Sequence, residues 1–443
     1  MKFSKILATA SIAATCVALS AVNSFAITSQ FRGVNWADKR DNFVSDVLVL
    51  SGLSLSDNYQ SASVVAERVI GGFQELLGTN SVRMPVNEPT ILNAFDMYSG
   101  ALDVALKHGR LVMGYWGPSQ PSGPSNMDNW WKMWGKLVEK YGEHPNAYFE
   151  VMNEPHMYNK DQLRNLYAEW LQKFPKVPRD HIILDGSGMA QNVPDIADDS
   201  RFDGCLFAVH EYTFWNMSIT TEEGWKNSFK YKVGKYADRT VCTEWGGAMA
   251  PGEKAGVYYN TMDYNSTPTN YFMAYIRGMS DQLREWEMGS FYWPGLRDGD
   301  WYSMTKRSGE GANIKLEVVN QSGLDRMHMA WADTVAVVVV DTIPADTAVV
   351  DSTVGDTTVA DSNAVATDSL VSIASGMRGI SGMEFARSAT GYKVFGMTGK
   401  FLGVISVQPS GARDMAAGLK QAGFAKGVYM VRGASGAMRV QVR

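Results

Sequence analysis

The sequence predicts an α/β protein: a (β/α)8 TIM barrel, followed by an acidic linker and a small, β-rich, basic C-terminal module. Three observations lead there. Between Gln30 and Trp331 eight strand-like runs alternate with amphipathic, helix-periodic segments. Those runs end in polar and aromatic residues, and a barrel of this kind gathers its reacting groups at the C-terminal ends of its strands. Charge then divides the chain, with net −8 over residues 27–332, −7 over 333–372 and +8 over 373–443.

Taken in order, the chain opens with Lys2 and Lys5, an apolar run from Ile6 to about Val22, and the small-x-small triplet Ser24-Phe25-Ala26. This pattern predicts a secretory signal peptide over residues 1–26, cut after Ala26, and so a secreted or cell-surface protein. The apolar run is short for a membrane span, and no later segment is long and apolar enough to be one. Strands are predicted at Phe31–Asn35, Ser81–Val86, Arg110–Trp116, Ala147–Asn153, His181–Gly186, Cys205–Glu211, Thr240–Glu244 and Gly289–Trp293. Helical patterns fall at Val64–Leu77, Ile91–Lys107, Trp130–Tyr141, Asp161–Phe174 and Thr269–Trp286, with weak patterns after the fifth and sixth strands. A doubly wound open sheet is the rival, but it would carry a glycine-rich phosphate loop after its first strand. Here "RGVNWADKRDN" (32–42) offers one glycine. Residues 27–332 are accordingly assigned to the barrel.

The segment 333–372 has no Lys or Arg, and Asp recurs every five residues from Asp341 to Asp361, each followed by Thr or Ser. Five is neither a helix nor a strand period, and self-repelling charge predicts an extended linker. Residues 373–443 are Gly-rich, with short apolar runs in "YKVFGM", "KFLGVISV" and "KGVYMVR" that predict small strands. Their positive charge suits an acidic surface, including anionic polysaccharide or lipid; a solvated basic face with no dedicated partner is the plainer alternative. No nucleic-acid partner is indicated. Beyond the leader two cysteines remain, Cys205 near the bottom of its strand and Cys242 near the top of its own. At about 3.3 Å per residue that offset exceeds the reach of a disulfide, so two buried thiols are expected.

The strand tips carry the chemistry. The second holds Arg83 in "SVRMPV"; the third ends at Tyr115-Trp116 and the fourth at Asn153-Glu154. The sixth ends at His210-Glu211-Tyr212, the seventh at Glu244-Trp245 and the eighth at Trp293. Pro155 cannot extend its strand, so it fixes the exit of the chain and leaves Glu154 in the mouth. Glu154 and Glu244 stand on tips that face each other across a narrow barrel. Two carboxyls about 5–5.5 Å apart around a glycosidic bond perform retaining hydrolysis, one attacking the anomeric carbon and the other handling the proton.

With "NEP" (153–155), "HEY" (210–212), "TEWG" (243–246), "SVRMPV" (81–86) and "YWPG" (292–295) in order along the barrel, the sequence resembles glycoside hydrolase family 5, the large cellulase family. The resemblance implies that Glu154 is the general acid/base and Glu244 the nucleophile. It implies that Asn153 binds the sugar 2-hydroxyl, that Arg83 holds Glu244 ionised, and that His210 and Tyr212 line the reacting subsite and orient the nucleophile. Trp293 would be the stacking platform. Trp116, also a candidate for substrate binding, occupies a tip where many family members place a histidine, which leaves the sugar open. The implied activity is an endo-β-1,4-glucanase on a β-glucan polysaccharide, with β-mannan or mixed-linkage glucan as sister specificities and with no cofactor.

Other readings of the same residues stand beside this one. Glu154 and Glu244 could be structural carboxylates around Arg83, in a carbohydrate-binding protein without catalysis. Glu150 and Glu211 are read as structural. Trp130, Trp131 and Trp134 share an amphipathic helix, where Trp131 and Trp134 point to core packing; Trp215, Trp245 and Trp301 are placed in post-strand loops as outer-subsite candidates. The loop "RDGDWYS" (297–303) is only loosely calcium-like, and no metal is assigned. Residues 373–443 loosely resemble the basic terminal modules and sorting tails of secreted wall-degrading enzymes. They could instead be the working part of a surface protein, in contact with the cell surface or a secretion system.

Overall fold

Apolar runs bounded by turn residues form β1 (Arg32–Trp36), β2 (Ser81–Val86), β3 (Arg110–Tyr115), β4 (Ala147–Glu150), β5 (Ile182–Asp185), β6 (Leu206–Glu211) and β7 (Thr240–Trp245). A small antiparallel hairpin, β8 (Gly252–Lys254) with β9 (Val257–Tyr259), precedes β10 (Ser290–Leu296). The hairpin apart, these strands pair in parallel in the order β1-β10-β7-β6-β5-β4-β3-β2, and β2 returns to β1 to close the barrel. The computed structural model describes residues 28–117 and 123–331, and beyond them 392–396, 401–405, 419–420, 424, 427–433 and 436–442. The expected signal peptide and linker lie outside the described residues.

All eight predicted barrel strands are present. The fourth ladder stops at Glu150, short of the expected Asn153, although Val151 and Asn153 still donate their amides to Ile183 and Tyr115 at 3.2 and 2.8 Å. The helices differ more. The expected Ile91–Lys107 is two helices, Glu88–Asn93 and Phe95–His108, parted at Ala94, which leaves helical geometry at φ −129°. After β5 the chain makes only single turns, Ser187–Ala190 and Pro194–Ala197. After β6 a full helix, Glu222–Val233, forms despite its weak pattern, with the Thr221 hydroxyl accepting the Gly224 amide at 3.1 Å. A second hairpin, β11 (Thr305–Ser308) with β12 (Lys315–Val318), and the helix Gln321–Ala330 follow β10 and were not foreseen. None of the described helices is long and apolar enough to cross a membrane.

Inside the barrel an apolar floor lies beneath a polar layer. Phe31, Val112, Tyr148, Ile183, Leu206, Ala208, Val241 and Phe291 pack together at the lower level. Gly33 makes room for this packing, since a Cβ there would sit 2.1 Å from the Phe291 ring. Two positions higher on several of the same strands stand Asn35, Arg83, Glu150, Asp185 and His210, all buried. The outer face of the strands packs against the helices in one continuous core that includes Trp130, Trp134, Trp170 and Trp225. Trp134 thus falls in the core, as expected, and Trp131 packs on its edge against Phe174.

Both ends of the barrel chain are tied down at the floor. Thr28 is buried, with its carbonyl accepting the Phe31 amide at 2.9 Å and its hydroxyl accepting the Gly289 amide at 3.3 Å. Trp331 donates its indole N–H to Ser290 Oγ at 3.0 Å. Cys205 and Cys242 are free and buried, as expected. Val209 is the register partner of Cys242, which leaves Cys205 four residues below.

In the C-terminal region β13 (Tyr392–Gly396), β14 (Phe401–Ile405), β15 (Gly427–Gly433) and β16 (Gly436–Val442) form an antiparallel sheet in the order β14-β13-β15-β16. The first three coincide with the apolar runs read from the sequence; β16 was not foreseen.

Candidate active site

The polar layer is organised by Arg83, which β2 delivers into the barrel. Its Nη1 donates to Glu244 Oε1 at 2.5 Å and to Asn35 Oδ1 at 2.9 Å, its Nη2 to Asn153 Oδ1 at 2.6 Å, and its Nε to Glu150 Oε2. Gly114 on β3 permits this, because a Cβ there would stand 2.7 Å from Glu150 Oε2 and 3.2 Å from Arg83 Nε. A guanidinium suits this place: it is planar, permanently charged and able to serve several acceptors at once. Glu150, read as structural, is held here by Arg83. Glu211, also read as structural, points the other way and is bound by Lys232 and by the Ser228 hydroxyl at 3.0 Å.

Glu244 reaches the layer through an irregularity in β7. Val209 pairs with Cys242, yet the next residue of β6, His210, pairs with Glu244. One extra residue, Thr243, is accommodated, and a bulge of this kind re-aims the side chains beside it. Thr243 and Glu244 therefore both address His210, while Cys242 and Trp245 face the outer core. This corrects the expectation for Trp245. The strand continues through it, and it packs edge-on against Tyr292 with ring centroids 5.5 Å apart rather than in an outer subsite.

Glu154 follows β4 in a left-handed conformation with φ 48°. Such a backbone is unfavourable for a residue with a Cβ and must be held by its surroundings. Its amide donates to Asp185 Oδ2 at 2.9 Å. His210 Nδ1 lies 3.0 Å from Glu154 Oε1 and 3.6 Å from Glu244 Oε2, so the imidazole addresses both acids, with the shorter contact to Glu154. A carboxylate oxygen of each glutamate and a His210 nitrogen all lie within 4.8 Å of one another. Tyr212 donates its hydroxyl to Glu244 Oε2 at 2.8 Å. Asn153 Nδ2 is buried and has no partner, so one amide donor beside Glu154 is unused.

Burial dominates the electrostatics. It pushes Glu244 above the usual carboxylate range, against the pull of His210, Arg83 and the Tyr212 hydroxyl. Arg83 therefore opposes the rise without cancelling it. Burial also lowers His210 to about 4, leaving a neutral ring at ordinary pH. A neutral ring has one donor and one acceptor nitrogen, here shared between Glu154 Oε1 at Nδ1 and the Thr243 hydroxyl at Nε2, each 3.0 Å away. Burial keeps the Tyr212 phenol protonated, as a donor to Glu244 must be. In spacing, Glu154, His210 and Glu244 could hold a metal, as could Glu150, Asp185 and His210. Both nitrogens of His210, however, are already engaged with Glu154 and Thr243. In "RDGDWYS" Asp298 and Asp300 are bound by Arg307 and Arg297 at 2.7 and 2.8 Å.

Above this layer opens a cleft of about 210 Å³ in which Glu154, Glu244, Tyr212, Trp116 and Trp293 are all on the wall. Trp116 and Trp293 stack with centroids 5.3 Å apart and planes 22° off parallel, and the Arg83 guanidinium lies 5.5 Å from the Trp116 ring. Trp301 is also on the wall, while the side chain of Trp215 lies outside the described set. Sequence reading missed several wall residues: Asp41 and Phe43 from the β1 loop, Phe214 after β6, Lys254 on β8, and Arg297, Asp300 and Tyr302 after β10. They come from loops and one short hairpin, where no periodicity marks a residue as inward; only their position after a strand tip could have flagged them. Asp185 was missed for another reason: it looks like the ordinary polar end of a buried strand.

Residues 102–290 match the family model for cellulase (glycosyl hydrolase family 5). The match contains Glu154, His210 and Glu244 and stops three residues before Trp293. Among solved structures, the chain is similar to Cel5A (EG2) from Hypocrea jecorina (Trichoderma reesei), at 16% identity over 66% of this chain and 97% of that one, with a TM-score of 0.47. It is also similar to endoglucanase Cel5A of Pseudomonas stutzeri in complex with cellobiose, at 13% identity over 68% and 92%, TM-score 0.43. A beta-mannanase from Streptomyces thermolilacinus matches at 15% identity over 62% and 82%, TM-score 0.39.

Proposed function

We propose that this chain is a retaining β-glycoside hydrolase of the family 5 kind, exported from the cell, that cleaves β-1,4-linked glucan internally. The observation that carries the reading is the carboxyl pair: oxygens of Glu154 and Glu244 within 4.8 Å of each other, both on the wall of one aromatic-lined cleft. That separation suits a direct attack by one carboxylate. Inverting enzymes need about 6.5–9.5 Å to seat a water between the two.

In this reading Glu244 attacks the anomeric carbon as Glu154 protonates the departing glycosidic oxygen, giving a glycosyl ester on Glu244. Glu154 then takes a proton from water, which displaces Glu244 with net retention. Arg83 and Tyr212 hold Glu244 at both oxygens, so its attack needs little reorganisation. The Trp116–Trp293 pair offers an apolar face to the sugar ring, and the free Nδ2 of Asn153 is a donor for a hydroxyl beside the reacting carbon. Glucan is favoured over mannan on the family resemblance alone, so β-mannanase activity is the second outcome to measure.

The deciding experiment is product stereochemistry on purified glucans and mannans, followed by proton NMR. First-formed β-anomer supports double displacement, whereas first-formed α-anomer refutes it. Glu154→Ala should lose about 10²–10⁴-fold in turnover of polymer, and added azide should restore turnover of an activated aryl glycoside as a β-glycosyl azide. A wild type that binds glucan and releases no reducing sugar would instead point to a carbohydrate-binding protein.

A further inference from the structure

Below the reacting pair lies a second pair of carboxyls, Glu150 and Asp185, both fully buried. Each has one oxygen accounted for. Glu150 Oε2 accepts Arg83 Nε, and Asp185 Oδ2 accepts the Glu154 amide at 2.9 Å. The other oxygens, Glu150 Oε1 and Asp185 Oδ1, are buried with no donor. Oxygens of the two carboxyls lie within 4.8 Å of each other and of a His210 nitrogen, and the neighbouring Glu150 carboxyl is among the causes that push Asp185 up. Two ionised carboxylates have no proton to place between them, and a buried acceptor without a donor is costly. One proton on the pair turns the repulsion into a hydrogen bond. Charge points the same way, because Glu150, Asp185 and Glu244 share the field of the Arg83 guanidinium and His210 is neutral.

We propose that Asp185 is a positioning residue for Glu154: it keeps its proton, donates it to Glu150, and with its other oxygen holds the Glu154 amide in the left-handed turn that aims the acid/base into the cleft. The proposal rests on the glycoside hydrolase reading for what Glu154 does there. Which carboxyl carries the proton follows from the surroundings. Glu150 is bound directly by Arg83 from β2. Asp185 faces Glu150 on β4, the Glu154 backbone, His210 on β6 and, through its own carbonyl, the Tyr167 hydroxyl at 3.1 Å. Burial and the Glu150 charge push Asp185 well above the usual range, with Arg83 pulling the other way.

The test compares Asp185→Asn with Asp185→Ala in the full chain. Asparagine reproduces a neutral acid, with an N–H for Glu150 and a carbonyl for the Glu154 amide. It should keep kcat/KM on soluble glucan within about threefold of wild type, while alanine loses roughly 100-fold through misplacement of the acid. The alanine loss should shrink to about threefold on an aryl glycoside whose leaving group departs without protonation. Infrared difference spectra at neutral pH should show a protonated-carboxyl C=O band in the wild type that Asp185→Asn removes. An asparagine variant as impaired as the folded alanine variant, or a wild type in which Asp185→Asn removes no such band, overturns the proposal. The band does not depend on turnover. A wild type that shows it but cleaves no glycoside therefore sinks the hydrolase reading, and Asp185's role in reaction with it, while keeping the shared proton.

Discussion

In the proposed reaction Glu244 needs its charge to attack, and burial works against that charge. Activity should therefore fall on the acid side as Glu244 takes a proton, at a pH above the ordinary glutamate range. Tyr212→Phe removes a donor to the charged form, so the acidic limb of kcat/KM should move up by about one pH unit; an unmoved limb would mean that Tyr212 does not stabilise the charge. His210 works in the opposite sense. Its folded pKa of about 4 lies below the ordinary value, so the unfolded chain binds more protons between that pH and about 6.5. Its contribution to stability is complete above this window and is lost as pH falls through it. The wild type should lose more Tm than His210→Gln on passing from the top of that window to the bottom, and NMR should show a neutral His210 ring across most of it.

At the scale of elements, strand-like runs recurring between helix-periodic segments, and the polar residues that end them, exposed the barrel and the tips. Glu154, Tyr212, Glu244 and Trp116 sit at or just past a strand end and line one cleft with Trp293 of β10, while Arg83 and His210, and Asn153 through Arg83, are joined by hydrogen bonds to that pair of acids from the buried layer beneath. Alternation could not expose the extra residue in β7. A regular strand would turn Cys242 and Glu244 to one face, and instead Thr243 and Glu244 share the interior. Trp245 was misplaced for the same reason, since its strand continues past the bulge. The Glu222–Val233 helix was faint because its apolar contacts are few, Trp225, Phe229 and Val233, and packing onto the barrel supplies what its pattern lacks. Gly114 shows how closely one strand serves another. Gly114→Ala should push Glu150 and Arg83 apart, lowering both Tm and kcat. Breaking a buried pair of this kind costs about 3–5 kcal/mol, and wild-type stability in that variant would show that the pair can be re-seated.

At the scale of the molecule, the barrel closes on itself within residues 28–331, by way of the β1–β10 and β1–β2 ladders. A chain ending after Trp331 should keep the proposed glucan hydrolysis within about twofold of the full chain and unfold in one cooperative transition. Loss of activity in a folded truncation would transfer the working role to residues 373–443. The two thiols add a probe of the same unit. Buried on their strands, Cys205 and Cys242 should react with a thiol reagent only as the barrel opens, both at the rate of global unfolding.

Thr28 and Trp331 are anchored beside one another's neighbours, Gly289 and Ser290, at the end of the barrel remote from Glu154 and Glu244. A graft made directly at Thr28 or Trp331 therefore leaves from underneath. Held to a bead or a surface at either of these two residues, the barrel would turn its open side toward the solution, with the attachment clear of the cleft.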